Sequence, residues 1–366
     1  MTNAPASWVP PFCPNEACRY HRQDRELWRF KKAGFFTRKS DQRRIERRRC
    51  DACRRYFSSQ TFSTTYWMKR PELQRAAFWR LVGCSGFRQI AREFGASPQT
   101  ILGHTARLGR HALLWHELHR PRGPIPEPVA LDSFQGFEWS QHHPTLFHLV
   151  TGKDSHFTYG FTESELRRSG RMTDEQKIHR LLSERLFGRP DPRSIEKEVA
   201  SLLSIVTTPG QSLELHTDEH QDYPRALKRL RDRCFQHRTV SSRKARTSQN
   251  PLFAVNLLDL LIRHSGANHK RETIAHSKRR QGAIDRLWVF LIWRNWMKWF
   301  SELRRDATPA MKLGVAEERV TYEMLMAQRL FPGRIGLPER WGVHYRRLTP
   351  TRRIARIATH RLKYAF

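Results

Sequence analysis

The sequence predicts an α/β protein: a mixed sheet flanked by helices, preceded by a small metal-held segment and a helical unit. Three observations predict it. Two pairs of cysteines, Cys13 with Cys18 and Cys50 with Cys53, lie within residues 1–60. Short apolar runs, VALDSF, TLFHLVTG, HFTYGFT and SLELHTD, have the alternation and flanking turn residues of strands. Around them lie stretches with helical apolar spacing, the clearest opened by the capping pair Ser97-Pro98.

A chain of 366 residues has room for two or three domains, and 11 tryptophans and 21 phenylalanines supply core material that excludes wholesale disorder. Lys and Arg number 67 against 35 Asp and Glu, a formal net charge of +32. Spread from end to end, that charge disfavours a compact chain unless a polyanion is the partner. Nucleic acid fits best, because a phosphate track is neutralised with counterion release. A protein that binds RNA or ribosomes without specificity would share the signature. The start, MTNAPASWVPPFCP, lacks a basic-then-apolar leader. The most apolar stretch, Leu287 to Phe300, is interrupted by Arg294, Asn295 and Lys298 and falls short of the ~20 residues a bilayer needs. The expectation is a cytoplasmic, nucleoid-associated protein with no membrane partner.

In such a compartment cysteines are ligands or buried thiols. FCPNEAC and RRCDACRRYF each place two thiolates across a tight turn, so Cys13, Cys18, Cys50 and Cys53 are candidate ligands of a structural Zn2+ in a zinc ribbon over residues 1–60. His21 is a spare donor, and Cys84 and Cys234 read as core residues. In residues 61–118, a helix from Phe87, a Gly95-Ala96-Ser97 turn and a second helix with Pro98 at its first position have the layout of a helix-turn-helix. Arg88, Gln99, Thr100, His104 and Arg107 are the candidate DNA contacts, on its outward side. A plain helical hairpin is the alternative. Four prolines between His119 and Val129 mark a linker, residues 119–128.

Residues 129–306 form the expected body, with a helical insertion at about 163–212. Asp132 ends the run VALD, and Asp218 ends SLELHTD. Carboxylates at the ends of neighbouring strands share divalent cations, and oxygen ligands favour Mg2+ or Mn2+. The third acid is Asp259, on one helical face with Asn256 and Arg263. Its rival is Glu272, which sits beside Lys270 and Arg271, where a solvated ion pair explains it more simply. Lys278, Arg279 and Arg280 are candidate grips on a nucleic-acid backbone, or a basic surface turn. LWVFLIWRNWMKWF reads as a helix packed on the sheet. Residues 307–366 read as a basic C-terminal extension that grips DNA or packs on a partner subunit.

The order of these pieces carries a resemblance. RRCDACRRYFSS, FRQIAREFGASPQTI, VALDSF, HTDEHQDY, RETIAHSKR, RNW and TPAMKLGV together resemble bacterial insertion-sequence transposases of the DDE, RNase H-like superfamily. The likeness is to the group with a zinc ribbon and helix-turn-helix ahead of the catalytic domain, and it extends to about Val315. In that group an RxT…FSK-type stretch follows the last catalytic acid, as RETIAHSKR follows Asp259. The departure is at the third acid, where the family usually has Glu. The resemblance implies a homo-oligomer acting on double-stranded DNA, binding terminal inverted repeats and joining them to target DNA. Asp132, Asp218 and Asp259 would hold the catalytic metal. Water would release a 3′-hydroxyl at the element's end, and that hydroxyl would attack the target. A catalytically inactive, transposase-derived DNA-binding regulator and a nuclease that cuts without joining are the competing readings.

Overall fold

The protein is described by a computed structural model covering residues 8–23, 25–39, 42–140, 142–270 and 273–351. The cysteine segment forms a small antiparallel sheet of β1 (Phe30–Thr37), β2 (Arg44–Cys50) and β3 (Tyr56–Phe57), in that order. Pairing of β1 with β2 slips between Lys32 and Phe35, where Gly34 takes φ +77°. Three helices follow: α1 (Leu73–Val82), α2 (Phe87–Glu93) and α3 (Pro98–His119). Ser97 caps α3 by accepting the Thr100 N–H at 3.1 Å, with Pro98 at the first helical position as expected.

The apolar runs pair into a mixed sheet, five-stranded among the described residues: β4 (Val129–Phe137), β5 (Pro144–Gly152), β6 (Thr158–Glu165), β7 (Ser212–Thr217) and β8 (Cys234–Thr239). The spatial order is β6-β5-β4-β7-β8. β4 to β6 form an antiparallel meander, while β7 runs parallel to both β4 and β8. Parallel neighbours require crossovers. Here they contain α4 (Asp174–Phe187) and α5 (Ser194–Val206) before β7, and α6 (Asp222–Leu227) before β8. The expected helical insertion therefore starts later than residue 163, because Glu163 to Glu165 still belong to β6. Cys234 opens the outer strand β8 and is exposed, and Cys84 is only half-buried, so neither is the core residue expected.

Residues paired across strands share a face. Asp132, Leu149 and Phe161 are in register, and α7 (Phe253–Ser265) and α8 (Arg280–Ile292) pack on their side. Ser133, His148 and Thr162 face the other way, where the Thr162 hydroxyl donates to the Glu198 carbonyl of α5 at 2.8 Å. α8 comes from the apolar run expected to pack on the sheet, and it is buried from Ala283 through Ile292. α3 crosses it so closely at Gly109 that a Cβ there would lie 2.5 Å from the Asp285 carbonyl oxygen. One apolar core runs from Leu73 to Trp341, and the cysteine segment has its own around Trp28 and Phe57. The expected linker at 119–128 begins at the end of α3, and the larger core continues past it.

The expected C-terminal extension folds back on its own chain through α9 (Pro309–Lys312), α10 (Tyr322–Met326), α11 (Pro332–Ile335) and α12 (Glu339–Arg346). Phe331 packs edge-on against Phe12 at 5.2 Å, and Arg22 donates to the Gly333 carbonyl at 2.9 Å. Trp341 is fully buried and donates to the Phe161 carbonyl at 3.0 Å, passing over Gly160, where a Cβ would come within 2.3 Å of its ring. Residues 307–351 are thus a strap joining the cysteine segment to the sheet, because Tyr322, Leu325, Phe331 and Trp341 are buried. Residues 352–366 of that expected extension lie outside the described residues.

Two substitutions on α3 separate packing from propensity. Gly109→Ala is expected to destabilise the protein by about 1–3 kcal/mol, because backbone blocks the new methyl. Gly103→Ala, which meets nothing within 4 Å, is expected to stabilise it by up to about 1 kcal/mol. Denaturant unfolding of the two variants checks the opposite signs.

Candidate metal centres

Cys13 and Cys18 flank one turn and Cys50 and Cys53 another, and the small core around Trp28 and Phe57 holds the turns together. Cys13 Sγ lies 3.7 Å from Cys53 Sγ, Cys18 Sγ lies 3.8 Å from Cys50 Sγ, and all four fall within 4.8 Å of one another. A tetrahedron with metal–sulfur bonds of about 2.3 Å has edges of about 3.8 Å, so the thiols fit one Zn2+. The Trp28 indole N–H donates to Cys50 Sγ at 3.3 Å. Burial raises the Cys50 thiol, but the Cys53 N–H and the Trp28 indole outweigh it and bring it down to about 7. That favours the thiolate, the ligand form. Burial pushes the Cys13 and Cys18 thiols up, which a cation between them would reverse. His21 is buried and donates through Nδ1 to the Cys13 carbonyl at 2.8 Å, supporting the turn.

The second candidate centre is acidic. Val129 pairs with Leu215 and Ala130 with His216, so the same register, continued, sets Asp132 opposite Asp218 just past the end of β7. Asp259 comes from α7, which packs on β4. Burial first, then the charges of Asp218 and Asp259, raise the Asp132 carboxyl to about 6, with Arg246 opposing them. The Asp132 Oδ1 accepts its neighbour Ser133 N–H at 2.7 Å, and Asp218 Oδ1 accepts the His220 N–H at 2.9 Å. Both Asp259 oxygens lie 3.1 Å from Arg263 Nε, an ion pair one helical turn apart. Among the described residues only the cysteines bring three or more ligand atoms within 4.8 Å of one another, so the three acids approach without closing to that distance. Glu272 lies outside the described residues. Arg246, in the RKAR run between β8 and α7, was missed by sequence reasoning. Its basic neighbours were the available signal, but nothing local aims that run at Asp132.

Behind the acids, the Ser133 hydroxyl lies 2.7 Å from His148 Nδ1, and His148 Nε2 lies 2.9 Å from the Ser164 hydroxyl. Burial holds this imidazole down to about 3, so it stays neutral and locks β4, β5 and β6 together.

The expected DNA contacts fare unevenly as surface groups. Arg88, Gln99 and Arg279 are exposed, and Thr100 is half-exposed at the start of α3. Two corrections concern α3. His104 is buried, with its imidazole pushed down by burial. Arg107 is half-buried and donates to the Tyr66 carbonyl at 2.6 Å. Arg107 is turned from solvent because its guanidinium meets the Tyr66 carbonyl, while Gln99 and Gly103 on the same helix stay exposed. Arg280 needs the third correction: it is buried and ion-paired to Glu138 at 3.3 Å and to Glu165, so it braces the sheet. Lys278 is half-buried, with its ammonium 2.8 Å from His276 Nε2.

No family model matches the chain, and no curated protein matches it. Among solved structures it is similar to a chain of the simian T-cell lymphotropic virus intasome in complex with the PP2A regulatory subunit B56 gamma. Identity is 15%, the match covers 63% of this chain and 70% of that chain, and the TM-score is 0.26. No helix among the described residues is long and apolar enough to cross a membrane.

Purified protein is expected to hold one zinc per chain, measured by elemental analysis. Chelation should open residues 8–62 to protease while the larger core still melts cooperatively, because the cysteine segment has a separate small core. Asp132→Asn removes a carboxyl that the fold raises. A raised acid contributes stability below its unfolded value, near pH 4, that is lost as pH climbs to about 6. The variant's melting advantage over the parent should therefore open across that window and stay constant above it. Millimolar Mg2+ should raise the parent's melting temperature by about 2–4 °C and leave the variant unmoved.

Proposed function

We propose that the protein is a metal-dependent DNA transposase of the DDE type, with an RNase H-like body that cuts and rejoins DNA at element ends. The observation that carries this reading is the β4–β7 register. It sets Asp132 opposite Asp218 at the end of a parallel pair, with Asp259 close enough for its charge to act on Asp132. Like charges held near one another, as these partly buried carboxylates are, are stabilised by a cation among them. Asp132, Asp218 and Asp259 would hold Mg2+ or Mn2+. The bound metal would supply activation of the attacking oxygen and neutralisation of the leaving one. Arg246, whose charge reaches Asp132, would meet the phosphodiester on the solvent side.

The same reading takes residues 1–60 as a zinc ribbon, 61–118 as the helix-turn-helix, 119–128 as the linker and 129–306 as the catalytic domain. The ligands are terminal inverted repeats and target DNA, bound by a homo-oligomer. The net charge of +32 supports a polyanionic partner.

One observation favours a second reading, an inactive DNA-binding regulator of the same descent. Arg263 occupies both oxygens of Asp259, which leaves the third acid paired before any metal arrives.

Strand transfer on a labelled duplex carrying inverted-repeat ends, with Mg2+, separates the readings. The transposase reading expects joined products, and a loss of at least about a hundredfold in Asp132→Asn, equivalent to about 2.7 kcal/mol. Duplex binding without any cutting, indifferent to Asp132→Asn, supports the regulator. Cutting without joining marks a nuclease.

A further inference from the structure

We propose that the β1–β2 ribbon of the cysteine-held head, and not α3, is the element that enters the major groove of double-stranded DNA. This rests on the reading above that the ligand is DNA, and it moves the contact surface to residues no motif assigned.

The ribbon displays what a groove-reading element needs. Phe35 on β1 is 52% exposed, and Tyr56, on the adjoining β3 and the opposite face, is 59% exposed, unusual for large rings on so small a sheet. Each has a guanidinium beside it: Arg44 lies 4.2 Å from the Phe35 ring centroid and Arg47 lies 5.6 Å from that of Tyr56. Such stacking orders both the cation and the ring at the surface before any ligand arrives. Lys31, Lys32, Arg44 and Arg47 are exposed, and none has a carboxylate partner among the described residues. Glu46 is taken by the buried Arg48 at 3.3 Å, so it does not cancel the surface charge.

The irregularity at Gly34 adds to this. A bulge bends and twists its strand and re-aims the side chains beyond it. Here it brings Phe35 into register with Glu46, on the face shared with Arg44. A two-stranded ribbon fits the B-form major groove, about 12 Å wide, where lysine and arginine meet phosphates and guanine edges and an apolar ring meets a thymine methyl. The deep, narrow major groove of A-form RNA does not admit it.

α3 offers less. His104 is buried, Arg107 is spent on the Tyr66 carbonyl, and the helix packs against α8 around Gly109. Of the four expected contacts on it, only Gln99 is fully exposed.

The test is fluorescence anisotropy of the full chain on a labelled duplex across a salt series. A variant with Lys31, Lys32, Arg44 and Arg47 all changed to Ala is compared with Gln99→Ala. The ribbon variant should lose at least about thirtyfold in affinity, and its log–log salt slope should become shallower by about two to four. Gln99→Ala should change affinity less than about threefold, below one strong base contact. Zinc content reports whether the head still folds. Lys31→Gln with Lys32→Gln, which leaves both arginine–ring stacks in place, should move the same way by a smaller amount. Wild-type affinity in a zinc-loaded ribbon variant, or a large loss in Gln99→Ala with none in the ribbon, overturns the proposal and leaves the DNA reading intact. Tighter binding to A-form RNA than to duplex DNA also overturns it. A wild-type chain that binds no duplex even at low salt overturns the DNA reading along with it.

Discussion

A helix surrounded on every side must bring each of its polar side chains to a partner, and α8 is such a helix. Arg286 donates to the carbonyls of Leu81 at 3.4 Å and Ser85 at 3.0 Å, tying α8 to the end of α1. Gln281 donates to the His344 carbonyl at 3.1 Å, and Trp288 donates to His344 Nδ1 at 3.2 Å. That bond leaves the proton on His344 Nε2, which donates to Glu163 at 2.8 Å. Burial raises the Glu163 carboxyl, but His344, Arg340 and Arg280 outweigh it and hold it at about 2. Just past α8, Asn295 exchanges two hydrogen bonds with the backbone of Thr158, acting as one more residue of β6's neighbouring strand. Removing one member of such a buried charged set leaves its partner uncompensated, at about 3–5 kcal/mol. Helix, sheet and strap are therefore mutually required.

That arrangement explains how the acids are held. β4 is pinned on one face by the neutral Ser133–His148–Ser164 chain and covered on the other by α7. The backbone of Asp132 cannot withdraw without shifting the β4–β5 register, and Asp218 follows directly on the last paired residue of β7. Burial first, and then the charges of Asp218 and Asp259, leave Asp132 with a raised carboxyl. Asp259 is the adaptable member, because its ion pair with Arg263 lies within one helix and can open without disturbing β4.

What the sequence revealed was local, and what it hid was not. The cysteine pairs, the Ser97-Pro98 helix start and the strand alternation of residues 129–165 each depend on neighbours a few positions apart, and each has its counterpart in the structure. The Asp259–Arg263 pair was equally visible as helical spacing. The polarity of His104 and Arg107 suggests an outward position, but it cannot announce that His104 is buried or that Arg107 meets the Tyr66 carbonyl. Arg280 sat in a basic run that looked solvated, and its partners, Glu138 and Glu165, lie more than a hundred residues away. The strap was illegible for the same reason. Leu325, Phe331 and Trp341 are spaced to fit three different parts of the body, so they show no period of their own.

The strap also sets an order of events during synthesis. The cysteine segment can bring its four thiols together soon after it emerges, because Cys13, Cys18, Cys50 and Cys53 all lie in the first part of the chain. Its seat on the body needs Arg329 to Arg334, which hydrogen-bond to residues around His21 and Phe62 and are translated on the order of tens of seconds later. During that interval the nascent head is tethered but not oriented, and only arrival of the late segment fixes the angle at which it faces the rest of the molecule.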